Sequence, residues 1–189
     1  QLTYLSTIGA AVANKGYKGF MSLMGNGMHK ALENLAPQTA IVEKRLYWAF
    51  NIEGEAVVLG GKPDIIHNGV VNDYKNILST GRPKNNEAKE EHQKQAYINS
   101  WLAHKNGIHV DNACVEYIYR DWSPGIAERQ KSYPQRANKQ IAFWLPKWDE
   151  IEKFIIERLT LHVKAKKGER IECTDEERWK RPDAWALKK

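Results

Sequence analysis

Asn68-Gly69 lies between two short runs rich in β-branched residues, and this dipeptide constrains the fold more than any other feature of the chain. Asn-Gly adopts the left-handed pair of conformations of a type I′ turn, whose twist matches two antiparallel strands. A two-residue hairpin fixes the register. His67 then faces Val70, Ile66 faces Val71, Ile65 faces Asn72 and Asp64 faces Asp73. Side chains directly opposite share a face, with Cβ atoms about 5 Å apart. Two carboxylates are thus expected side by side. Like charges so placed destabilise a sheet, and a divalent cation between them removes the repulsion. Lys75, two residues past Asp73, points to the same face. Tyr74 points to the other, toward the core, while its backbone carbonyl stays near the carboxylates as a further oxygen donor. Two hard acids, a carbonyl and a lysine suit Mg²⁺- or Mn²⁺-assisted hydrolysis of a phosphodiester. The ion lowers the pKa of water and neutralises phosphate charge, and the lysine orients that water or stabilises the transition state.

The rest of the 189-residue chain reads as a single α/β domain, 1–189, with a mixed sheet and helices packed on it. Residues 21–36 have a helical stripe of Met24, Met28, Ala31, Leu32 and Leu35, ended by Pro37. Residues 41–50 alternate as one strand, and EAVVL after Glu53-Gly54 as a second. A helix is expected over 86–106, stopped at Asn106-Gly107. Strands follow at 113–120 and 139–145. A helix over 147–163 carries Ile151, Phe154, Ile155, Leu159 and Val163 on one side. Thr174 and Glu177 have capping-box spacing and suggest a last short helix. The first 20 residues give no firm assignment. The termini at Gln1 and Lys189 are read as possible truncation boundaries.

A net charge of +6 and a pI of about 9.2 favour a polyanionic partner such as nucleic acid or an anionic membrane, and the cluster Lys164, Lys166, Lys167 and Arg170 is the expected phosphate contact with DNA. No run of about 18 apolar residues exists, so no membrane span is expected. Two cysteines, Cys114 and Cys173, point to a reducing cytoplasmic compartment, with both thiols as packing groups. His67 and His92 read as a turn-flanking and a surface residue. Trp122, Trp144, Trp148, Trp179 and Trp185 read mostly as core.

GKPD at 61–64 followed by DYK at 73–75 resembles the PD-(D/E)XK nuclease superfamily. GNGMHKALE at 25–33 resembles the G-x-x-x-H-x-x-L-E helix of its RecB-type and phage exonuclease branch. QKQAY at 93–97 is similar to that branch's Q-x-x-x-Y motif. The motif core spans 25–97, and YIYRDW at 117–122 and CTDEERW at 173–179 also resemble phage members. The resemblance implies a restriction-endonuclease-like core. It implies that His29, Asp64, Asp73 and the Tyr74 carbonyl hold Mg²⁺ or Mn²⁺, that Lys75 is catalytic, and that Gln93 and Tyr97 line the site near DNA. Gln95 rivals Gln93 for the glutamine role, and Glu33 and Glu43 are accessory acids. Iron–sulfur branches of the superfamily carry four cysteines; this chain has two, so no cluster is expected. The implied activity is a phage-type exonuclease serving recombination, repair or replication, with phage or host recombination proteins as partners. The alternatives are an endonuclease of the same superfamily, a non-catalytic DNA-binding module, and a basic structural subunit with no nucleic-acid function.

Overall fold

A computed structural model describes residue 25 and residues 27–175. The first helix, α1, covers residues 27–35, and Ala36 N–H closes it onto the Glu33 carbonyl just before Pro37. Strands β1 (Ile41–Val42), β2 (Leu46–Ile52), β3 (Glu55–Gly61), β4 (Ile65–His67) and β5 (Val70–Ile77) follow. A 3₁₀ turn at Ser79–Gly81 leads to α2 (Glu90–Lys105), β6 (Asn112–Tyr119), the short α3 (Pro124–Arg129), β7 (Asn138–Trp144) and α4 (Trp148–Lys166).

Five strands form a mixed sheet in the order β1-β4-β5-β6-β7, and β2 and β3 form a separate two-stranded sheet. β5 and β6 are parallel and the other pairs antiparallel. A parallel pair needs a crossover, and α2 supplies it. The fold is therefore α/β with a mixed central sheet flanked by helices, as expected.

The core lies between α2, α4 and one face of the sheet. Trp101, Leu102, Leu46 and Val71 are fully buried there, with Ile151, Ile155 and Val163 of α4 packed against them. Trp101 stacks on Phe50 of the β2–β3 hairpin at 5.4 Å and meets Trp48 edge-on at 6.1 Å. Burying a ring of this size contributes on the order of 2–3 kcal/mol, so Trp101 fastens the small sheet to α2.

Several expectations change. The single strand over 41–50 is two strands in different sheets, because Glu43 takes a left-handed φ of 50° and its N–H bonds the Asp64 carbonyl at 3.0 Å. α2 starts at Glu90 rather than 86, after Asn85 and Asn86 at φ 52° and 60°. Leu35, on the expected apolar stripe, is 81% exposed, and Trp144 is 80% exposed rather than core. Trp148 stacks on His104 and Trp122 is half-buried. Cys114 is buried, its thiol pushed up to about 11 by desolvation, whereas Cys173 is exposed and not a packing group. Residues 1–24, the second capping-box residue Glu177, and Trp179 and Trp185 lie outside the described residues. Among the described residues no helix is long and apolar enough to cross a membrane.

Candidate active site

Asn68 and Gly69 have φ of 47° and 73°, and the hairpin they close has the expected register: His67↔Val70, Ile66↔Val71, Ile65↔Asn72. The ladder ends there. Asp64 and Asp73 are not a paired row. Asp64 turns its carboxylate back along the strand, and Oδ2 accepts the Tyr74 N–H at 2.7 Å. The cause is Pro63, which is buried in the position opposite Tyr74. Proline brings no N–H, so a ladder cannot continue through it. The Asp64 side chain takes over as the acceptor for Tyr74 N–H, and no bond from Pro63 can close on the Tyr74 carbonyl. That carbonyl keeps its acceptor capacity on the β4 side, beside the Asp64 carboxylate.

Asp64 Oδ1 lies 3.5 Å from His29 Nδ1 of α1. The His29 ring also meets Tyr74 edge-on at 6.4 Å, so Tyr74 faces α1 as a half-buried ring. Glu43, swung inward by its left-handed backbone, pairs with Lys62. His29, Glu43 and Asp64 each offer a ligand atom, all within 4.8 Å of one another. Ligands of one small divalent ion sit about 2 Å from it, so modest side-chain shifts bring these three onto a common centre. The donor set fits the implied cation. Carboxylates suit Mg²⁺ and Mn²⁺, and an imidazole tilts the choice toward the transition metal.

Asp73 is 2% exposed. Its Oδ2 lies 2.7 Å from Lys75 Nζ, an ion pair outside good hydrogen-bond alignment. Burial pushes the Asp73 carboxyl above the usual carboxylate range; Lys75 pulls it down, the nearby Asp64 charge pushes it up, and His29 lowers it. Asp73, Asp64, His29 and Lys75 therefore share one electrostatic site even though the two acids are not a ladder pair.

The α2 residues divide. Gln95 Oε1 accepts from Lys75 Nζ at 2.8 Å. Gln93 instead donates to the Ala88 carbonyl and accepts from Tyr97 O–H at 3.0 Å. Gln95, not Gln93, touches the lysine, and Gln93 with Tyr97 braces the start of the helix. Glu33 is paired with Lys30, away from the ligand set. His92 is half-buried with Nδ1 2.9 Å from Tyr117 Oη rather than at the surface, and burial lowers its pKa. The His67 ring lies 3.4 Å from Thr39 Oγ1 beside the turn. A cleft of about 570 Å³ lined by Gly61, Lys62, Lys94, Gln95 and Phe154 opens beside the cluster and reaches it through Lys62 and Gln95. Lys62 was not anticipated, although it stands inside the GKPD motif.

The fold is similar to that in the crystal structure of SSO0001, with a TM-score of 0.53 at 18% sequence identity, covering 86% of this chain and 69% of that one. At that identity the likeness is one of fold. The chain matches no protein-family model and no curated protein.

Proposed function

We propose that this chain is a divalent-metal-dependent deoxyribonuclease with a restriction-endonuclease-like site, acting as an exonuclease on linear DNA. One observation carries the reading. A buried Asp73–Lys75 pair on β5 stands beside Asp64 at the broken end of the hairpin, where His29 and Glu43 also converge. A structural ion pair explains Asp73 and Lys75 alone; it does not explain why His29, Glu43 and Asp64 bring their ligand atoms within 4.8 Å of one another at the adjoining end of β4.

His29, Asp64, the Tyr74 carbonyl and Asp73 would hold Mg²⁺ or Mn²⁺, with Glu43 joining once it leaves Lys62. When bound, the ion lowers the pKa of water and neutralises the phosphate. Lys75 places its ammonium where charge develops on the phosphate oxygens. Asp73 and Gln95 fix that ammonium from two sides, limiting reorientation during the reaction. Pro63 keeps Asp64 out of the ladder, so its carboxylate is aimed rather than merely exposed.

The test is incubation with linear and closed-circular DNA, single- and double-stranded, in Mg²⁺, Mn²⁺ or EDTA. Linear DNA should be degraded with either ion, with Mn²⁺ at least as effective as Mg²⁺, and circles should survive. Cutting of circles moves the assignment to an endonuclease. Undiminished activity in EDTA refutes the metal site.

A further inference from the structure

The positive charge of this protein is concentrated in one place. Residues 78–89 and 119–139 contain eight lysines and arginines against three acids, a net +5 out of the chain's +6. Among the described residues, none of these eight cations forms an ion pair. The lysines that do, among them Lys62, Lys75, Lys94 and Lys105, all lie elsewhere. Lys164 and Lys167, in the cluster expected to contact phosphate, lie 3.9 and 3.8 Å from Glu53. Other described cations without an ion pair, Lys44, Arg45, Lys147, Lys153 and Lys166 among them, are scattered along the chain, whereas these eight fall in two segments that meet.

The two segments form one surface, and it is braced. Ser79 donates through its N–H and Oγ to Asp121 at 2.7 and 2.8 Å. Arg82 donates to the Ser132 carbonyl, and Trp122 to the Pro134 carbonyl. Tyr133 O–H donates to the Asp121 carbonyl. Two adjoining clefts of about 380 and 470 Å³ share Arg82 between them. Unpaired cations gathered on one surface repel one another, and a bound polyanion relieves that repulsion.

The surface adjoins the active face across the start of α2, where Lys89 and His92 cover the buried Tyr117. Lys75, Tyr117 and Lys139 are one cross-strand row over β5, β6 and β7, so their side chains share a face. With strands about 4.8 Å apart, Lys139 stands on the order of 10 Å from Lys75, a distance that spans one to two phosphates of a duplex strand. Single strands are gripped by exposed aromatic rings, but Trp122 and Tyr133 are half-buried and spend their polar atoms on the loop itself.

We infer that the surface formed by 78–89 and 119–139 docks the phosphate backbone of duplex DNA and presents it to the Lys75 face. The inference deepens the nuclease reading and rests on it for the identity of the polyanion.

Binding measured in EDTA separates docking from cleavage. A triple variant, Lys84→Gln, Lys131→Gln and Arg136→Gln, removes exposed cations that hold no structural bond. A matched variant, Lys164→Gln, Lys166→Gln and Lys167→Gln, removes the same charge from the C-terminal end of α4 and the residue that follows it. With a labelled duplex oligonucleotide at fixed salt, the first should lose at least about tenfold in affinity. Its log–log salt slope should shrink by up to about 0.9 for each contact removed. The matched variant should lose much less. Should the first variant fold poorly, Lys131→Glu alone carries the test. Equal losses in both sets, or none in either, overturn the inference. So does a single strand held as tightly as the duplex, or binding to phosphatidylserine vesicles through the same cations in place of DNA. Cation-dependent duplex binding by a protein that fails to cut would refute the nuclease reading and leave the docking surface standing.

Discussion

The two β-hairpins, β2–β3 and β4–β5, use the same kind of turn and differ in how their ladders end. Glu53-Gly54 and Asn68-Gly69 both place two residues in the left-handed region. From the first turn, pairing runs unbroken through seven rows to Leu46↔Gly61, and Leu46, Phe50 and Ile52 bury themselves around α2. From the second it runs through three rows and halts before Pro63-Asp64. Along β2 and β3 every backbone group that faces the partner strand is taken up by the ladder. A ladder broken by proline releases a carbonyl and turns a carboxylate inward. The turn sets register in both; the point at which pairing stops decides which hairpin is a scaffold and which is a site.

Substitutions in the two hairpins should therefore separate activity from stability. Asp64→Asn or Lys75→Ala should lower cleavage by about 10³-fold, since each removes several kcal/mol of charge stabilisation at the phosphate, while circular dichroism shows the protein folded. An Asp64→Asn enzyme within tenfold of wild type breaks the distinction. Phe50→Ala, in the scaffold hairpin, should cost about 3 kcal/mol of stability through the cavity beside Trp101 and leave cleavage per folded molecule unchanged. Denaturant melts and active-site-normalised rates check both halves.

The turns themselves give a smaller contrast. An alanine in the left-handed region costs about 1–2 kcal/mol. Gly54→Ala should cost that alone, because a Cβ there meets nothing within 4 Å. Gly69→Ala should cost somewhat more, because its Cβ would lie 2.4 Å from Asp111 Oδ2. Equal melts would show that Asp111 yields freely. Finally, Gln95→Ala should slow cleavage by about tenfold by loosening Lys75, whereas Gln93→Ala should act on stability through the start of α2. The opposite ranking would return the catalytic contact to Gln93.

Much of this was legible in the sequence. Turn chemistry and the two-residue period gave the register of β4 and β5 and the shared face of Asp73 and Lys75. The α/β class followed from the order of periodic segments. Where the reading failed, the deciding event was local and unsignalled. One left-handed residue, Glu43, splits an apparently continuous strand and carries its own carboxylate toward His29. The facing of Asp64 and Asp73 followed from register counted one row past Ile65↔Asn72, where the ladder already ends next to Pro63. Gln93 and Gln95 are separated by a rotation of about 200° on a helix. Only the packing of α2 against β5 decides which one meets Lys75. The basic surface was invisible because it joins segments about 40 residues apart.

The central claim is that Asp73 belongs to a metal site, and melts of wild type and Asp73→Asn with and without Mn²⁺ test it most directly. Burial raises the folded-state pKa of Asp73 above its unfolded value, so the unfavourable charge sets in as pH rises through that interval and persists at neutral pH. Without metal, Asp73→Asn should therefore melt higher than wild type at pH 7. Mn²⁺ at a hundredfold excess over its Kd should stabilise wild type by about 2.7 kcal/mol and the variant far less, reversing their order, with cleavage lost in the variant. A variant that gains as much from Mn²⁺ as wild type, or still cuts DNA, would contradict the account.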